Sequence, residues 1–218
     1  MRKFVIMCGG FYEHFEQPKA LTVVHGETII ERTLRLLQDA GIDKEQTYIS
    51  ATDERFKQFG VTVLEHKNTY RYEDGKMQGY WLDAFYPDFP DDTKVTYLYG
   101  DVVYTQNAIN TIVHCKREGN ILFGTGVAKN KQHKNWGEPF AYQVDDYRGF
   151  LIGISCVKGM YDAGKIDRHP ITWELYRFLN GMNINRQDVR DETYIVIDDG
   201  TMDIDAPKAV RKVEKRVR

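Results

Sequence analysis

The chain has 218 residues, 42% of them hydrophobic, which is enough for one sizeable core in a single α/β domain. Its 30 basic and 32 acidic side chains nearly balance, and that excludes a general nucleic-acid surface, which requires a clustered excess of Lys and Arg. Three widely spaced cysteines (Cys8, Cys115, Cys156) make no zinc-type pair, and no apolar run reaches the roughly 18 residues of a membrane span. An odd cysteine count and an N-terminus without signal-peptide pattern lead to the expectation of a cytoplasmic protein with no nucleic-acid or membrane partner. Cys8 and Cys156, both in apolar runs, are expected to be core thiols.

Residues 3–8 form a short apolar run that stops at Gly9-Gly10, as a buried parallel strand does where it meets a loop at the carboxyl edge of a sheet. Residues 28–40 carry apolar side chains at helical spacing, with Thr28 and Glu31 placed for a capping box and Gly41 for the stop. A strand over 47–51, a short helix over 53–59 and a strand over 61–64 follow. Residues 78–86 read as helix, and 94–99 as a strand ending in Gly100-Asp101. Residues 120–157 hold strand-like runs with little helix, read as mixed sheet with an antiparallel excursion at about 126–150 over the substrate. A helix over 171–180, a strand over 193–197 and a closing helix over 206–217 complete the chain. The basic tail from Lys208, interleaved with Val210, Val213 and Val217, reads as an amphipathic helix with a solvated face. This alternation predicts a three-layer, Rossmann-like α/β fold whose mixed, mostly parallel sheet has helices on both faces and ligands at the strands' carboxyl ends.

Four constellations carry chemistry. Gly9-Gly10 lets backbone approach a ligand and aim amides at phosphate, and Lys19 can return to that pocket as a point charge. As a plain turn and a surface lysine they would need no ligand. Thr28 to Arg32 is explained by capping. Asp101, at the mouth of a crevice, suits Mg²⁺ or a helix cap equally. In Asp203-Ile204-Asp205-Ala206-Pro207, extended alternation sends both aspartates to one face, and Asp205 is also placed to cap the last helix.

In this order the pieces resemble the nucleotidyltransferases of glycosyltransferase-A-like fold. These include sugar-phosphate nucleotidyltransferases, molybdenum-cofactor guanylyltransferase and phosphocholine cytidylyltransferase. The resemblance implies transfer of an NMP unit from an NTP to a small phosphorylated acceptor, with release of pyrophosphate. It assigns nucleotide binding to Cys8, Gly9, Gly10, Lys19, Gln78 (for the base) and Gly100. Catalysis falls to Lys19 and Asp101. Mg²⁺, with Mn²⁺ as a substitute, falls to Asp101 and Asp205, with Asp203 near by. Asn135-Trp136-Gly137-Glu138 resembles an acceptor-side segment, which makes Trp136 and Glu138 acceptor candidates, Trp136 serving equally as packing. One departure stands out: the loop Phe11-Tyr12-Glu13-His14-Phe15-Glu16 lacks the family's triphosphate-gripping arginine. A glycosyltransferase of the same fold, or a non-catalytic nucleotide-binding module, are the rival readings, and homo-oligomerisation is left open.

Overall fold

The computed structural model describes residues 1–9, 15–66, 69–73, 76–126, 137–186 and 188–217. Strand β1 (Arg2–Met7) leads into a short hairpin, β2 (Val23–Val24) and β3 (Glu27–Thr28), then helix α1 (Ile29–Asp39). Thr28 and Glu31 form the expected capping box, and Gly41 follows the helix with φ +85°. Next come β4 (Thr47–Ala51), a 3₁₀ turn over Glu54–Phe59 capped by Asp53, and β5 (Thr62–Glu65). A second hairpin, β6 (Arg71–Glu73) and β7 (Lys76–Gln78), precedes β8 (Lys94–Tyr99), β9 (Val102–Val103) and α2 (Gln106–Val113). The chain closes with β10 (Ile121–Gly124), β11 (Pro139–Val144), α3 (Tyr147–Asp162), α4 (Thr172–Leu179), β12 (Tyr194–Val196), β13 (Met202–Asp203) and α5 (Val210–Arg216).

Seven strands form the main sheet in the order β12-β10-β11-β8-β1-β4-β5. β11 is antiparallel to both neighbours, and every other pairing in the sheet is parallel. Chain order reverses between β1 and β8, so their carboxyl ends flank a crevice of the kind where doubly wound sheets bind ligands. One face carries an aliphatic core under α1 and α2, with Phe4, Ile6, Leu37, Ile49 and Ile109 fully or almost fully buried. The other carries an aromatic core under α3 and α4, including Tyr97, Tyr142, Tyr147, Phe150, Trp173 and Tyr176. A third, smaller cluster joins Val24, Ile29, Val103 and Ile204 to Val213 and Val217 of the closing helix. The valines of the tail therefore pack inward, as the sequence spacing implied.

Three expectations are corrected. The end of the stretch 120–157, read as strand-like, instead opens the helix α3 (Tyr147–Asp162); its glycines lower helix propensity, yet a side chain on Gly153 would crowd Leu179 of α4, which packs against it. Residues 78–86 hold only a 3₁₀ turn, Trp81–Ala84. Cys156 is exposed on α3, whereas Cys8 is buried as expected. Among the described residues no helix is long and apolar enough to cross a membrane.

Candidate active site at the strand-order reversal

β1 delivers Cys8 and Gly9 to the crevice, and β8 delivers Tyr99, Gly100 and Asp101. The Gly100 amide donates to the Met7 carbonyl at 3.1 Å, and a Cβ on Gly100 would overlap that same oxygen and crowd the Cys8 sulfur. Glycine is required here so that the two strand ends can close together and turn Asp101 outward. Lys19 comes from a 3₁₀ turn (Lys19–Leu21) that starts at Pro18 and is held by a Gln17 side-chain bond to the Leu21 carbonyl at 2.9 Å.

Asp203 and Asp205 arrive through tertiary pairing. β13 runs antiparallel to β9, with Asp203 opposite Val102, and the Ile204 amide donates to the Asp101 carbonyl at 2.9 Å. Ile204 is completely buried beneath Val213 and Val217, so alternation leaves both aspartates facing the crevice. The final helical turn is capped by Ala206, without a side-chain bond, and Pro207 starts the turn. Asp205 therefore does not cap the helix, and its carboxylate is left to the crevice.

The Lys19 ammonium donates to Asp101 at 3.0 Å and to Asp205 at 3.3 Å. One nitrogen thus joins residues 82 and 186 positions away in the chain. Although burial acts to lower the Lys19 pKa, Asp101 and then Asp205 raise it overall. Asp203 is pushed up to about 7 by burial first, then by the Asp205 charge and hydrogen bond, with Glu138 and Asp101 adding to it. Partial desolvation in the cavity, followed by the Asp205 and Asp101 charges, also raises Glu138. Burial, with the Asp101 charge behind it, holds the Cys8 thiol protonated far above its usual range, so it is no nucleophile.

These groups line a cavity of about 290 Å³ that also takes in Trp81, Arg168, Ile171, Thr172 and Trp173. The floor on that side is fixed by Tyr99, whose hydroxyl bonds Thr172 at the start of α4. Behind it, buried Glu174 accepts from Arg168 at 2.8 Å and from Arg177 at 3.3 Å.

Of the sequence candidates, Cys8, Gly9, Lys19, Gly100, Asp101, Glu138, Asp203 and Asp205 all line this one cavity. Gln78 does not. It ends β7, paired with Arg71 and exposed, because the segment expected to start a helix folds into a hairpin. Gly10 and Trp136 lie outside the described residues, as do the loop residues from Phe11 to His14. Tyr99, Trp81, Arg168 and Thr172 were missed. Tyr99 could have been suspected from its place before Gly100-Asp101, but nothing local marks Arg168 or Thr172.

A mixed, mostly parallel sheet with glycines and carboxylates at its reversal point is an α/β architecture with a ligand crevice at that point. The sequence model of the MobA-like NTP transferase domain matches residues 4–154, and the chain is a member of that nucleotidyltransferase family. No curated protein is significantly similar in sequence. Solved structures extend the likeness over the remaining residues. A Bacillus anthracis protein assigned as a glucose-1-phosphate thymidylyltransferase, in complex with a sucrose, superposes with a TM-score of 0.63 at 13% identity, covering 99% of this chain and 94% of that one. The CTP:phosphocholine cytidylyltransferase of Streptococcus pneumoniae gives a TM-score of 0.50 at 14% identity, covering 98% of each chain. At these identities the likeness establishes the fold.

Proposed function

We propose that this chain is a Mg²⁺-dependent nucleotidyltransferase that moves an NMP unit from an NTP to the phosphate of a small acceptor and releases pyrophosphate. The observation that carries the reading is the Lys19–Asp101–Asp205 junction beside Asp203, inside a cavity at the β1/β8 reversal. Glucose 1-phosphate and phosphocholine, which stand in the names of the two structural relatives, support a small phosphorylated acceptor.

The residues fit a hard divalent ion. Asp101, Asp203, Asp205 and Glu138 offer oxygen donors only, and burial, followed by the charges of its carboxylate neighbours, holds Asp203 up to about 7. Among the described residues no group of three or more His, Cys, Asp or Glu forms a ready-made cage. Mg²⁺ suits such a site, since it binds through one or two carboxylates and completes its shell with water and substrate phosphate. Asp101 and Asp205 would hold it, with Asp203 adjacent. Bound there, it would supply charge neutralisation between two anions that must meet.

The protein's own part is positioning and electrostatics. Gly9 gives the phosphates close access to backbone, and Lys19 neutralises charge that grows on the α-phosphate and the leaving group. An acceptor phosphate oxygen forms the new bond to the α-phosphorus, the bond to the bridging oxygen breaks, and pyrophosphate leaves with that electron pair. The attacking phosphate is ionised near neutral pH, so no general base is needed, and the protonated Cys8 takes no part. Trp81, Tyr99 and Trp173 shape the acceptor end and exclude water. Glu138 lines the same cavity, and of the acceptor candidates read from the sequence, Trp136→Ala is expected to weaken acceptor binding while sparing NTP.

A matrix of the four NTPs against sugar phosphates, alditol phosphates and phosphocholine, read by pyrophosphate release, tests this. Release that requires both partners and vanishes in Asp101→Asn is the expected result. Nucleoside diphosphate release from a nucleotide sugar would instead make the protein a glycosyltransferase. Tight NTP binding without turnover across the panel would make it a binding module.

A further inference from the structure

Four carboxylates (Asp101, Glu138, Asp203, Asp205) share the cavity, and the Lys19 ammonium contacts two of them, at 3.0 Å from Asp101 and 3.3 Å from Asp205. We infer that Lys19 is the resident counter-ion of the metal site: its ammonium and the divalent cation exclude one another from the Asp101–Asp205 pair, and metal enters only together with the triphosphate. The inference rests on the metal-dependent reading above and adds an order of events to it.

The argument is geometric. An Mg²⁺ ion sits roughly 2.1 Å from each carboxylate oxygen it binds. With the ammonium within 3.3 Å of both oxygens, an ion on either would lie within about 5.4 Å of it, inside a partly buried site where like charges are weakly screened. The two cations therefore compete for the pair, and the ion binds tightly only once the ammonium has left. Leaving is feasible, because the backbone of Lys19 is pinned while its four-carbon stem is flexible. The Thr22 amide donates to the Lys19 carbonyl at 2.9 Å, and Leu21 closes the same turn onto Pro18 at 2.9 Å.

What draws the ammonium away is a stronger anion. The triphosphate would meet it on the glycine side of the cavity and free both aspartates for the ion that accompanies the nucleotide. Metal and triphosphate then each raise the other's affinity, by the reciprocity any coupled pair of ligands obeys. Lys19 thus acts twice, holding the carboxylates together before substrate arrives and neutralising phosphate afterwards. The consequence is unusual for an active-site lysine. Removing it should abolish efficient transfer and at the same time improve metal binding.

The test is a Mn²⁺ titration of the full chain without nucleotide, read by electron paramagnetic resonance, with circular dichroism melts as the check on folding. Lys19→Met should bind Mn²⁺ at least about tenfold more tightly than the wild type, and Lys19→Arg, which keeps charge and reach, should show no gain. The gain should disappear in the double variant Lys19→Met/Asp101→Asn. Lys19→Gln replaces Lys19→Met if the latter does not fold. Equal or weaker Mn²⁺ binding after loss of the lysine overturns the exchange, as does a gain that survives Asp101→Asn. If no NTP–acceptor pair yields pyrophosphate in the wild type, the transferase reading fails, while the titration still judges the exchange alone.

Discussion

The cavity has two unlike walls. One is charged and comes from chain ends and turns: Gly9 after β1, Lys19 on a 3₁₀ turn, Asp101 after β8, and Asp203 and Asp205 beside β13. The other is aromatic and is continuous with the packed core: Tyr99 on β8, Trp173 on α4, and Trp81 wedged against Phe85 and Tyr99. On the charged wall burial, and then the neighbouring carboxylates, raise Asp203, so this wall gives up some stability to keep carboxylates together. The aromatic wall satisfies its polar handles, as in the Tyr99–Thr172 bond, and adds stability while shaping the space. Chemistry and shape are therefore assigned to different material. Substitutions on the first wall should show in turnover, and those on the second in melting.

The largest expected effect tests the aromatic side. Trp173, 2% exposed and packed on Tyr176 and Tyr194, should cost about 3–5 kcal/mol of stability when replaced by Ala, measured by denaturant unfolding. A variant that unfolds like the wild type but loses acceptor binding would move Trp173 to the chemical wall. Next, Lys19→Ala should lower kcat by about 10²–10³ with melting almost unchanged. An unaltered kcat in well-expressed protein would take Lys19 out of the mechanism and blur the contrast between the walls. Smaller again, Tyr99→Phe removes one buried hydroxyl bond to Thr172 and should cost about 1 kcal/mol while leaving the KM for NTP in place.

The remaining test is a pH dependence. Folded Asp203 keeps its proton up to about 7, whereas an ordinary aspartate titrates at 3.8. Between those values the unfolded chain has lost a proton that the folded chain retains, so this carboxyl makes stability fall as pH rises through the window and adds no further slope above it. Asp203→Asn has no proton to lose. In nucleotide-free, metal-free buffer its melting temperature should match the wild type near about pH 4 and exceed it near about pH 8. A melting difference independent of pH would show that Asp203 is not strained by its neighbours.

Much of the charged wall was legible because its signals are local. A buried run stopping at Gly9, the Thr28–Glu31 capping box and the placement of Ile204 between two aspartates each follow from period or capping within a few residues. α3 was not legible. Its glycines and branched residues argue against helix, and the decision came from an Asp146 cap on the Gly149 amide at 2.9 Å and from packing on α4. Gln78 went astray for a related reason: its role came from the resemblance and from a helix expected over 78–86, whereas Gln78 ends the strand β7 that pairs with β6.

By itself the sequence determined the kind of sheet, the residues at its strand ends and the chemical types available there, since strand period, glycine tolerance and carboxylate chemistry are properties of short segments. The tertiary structure decided which of these meet. Lys19 reaches Asp101 and Asp205 across 82 and 186 positions only because β1 and β8 are neighbours at the reversal point and β13 pairs with β9. It also decided that Ala206, not Asp205, precedes the last turn, and that Trp81 and α4, not Gln78, supply the facing wall. The physical reason is that contacts between distant segments are set by how the sheet's two faces are covered, which no local pattern encodes.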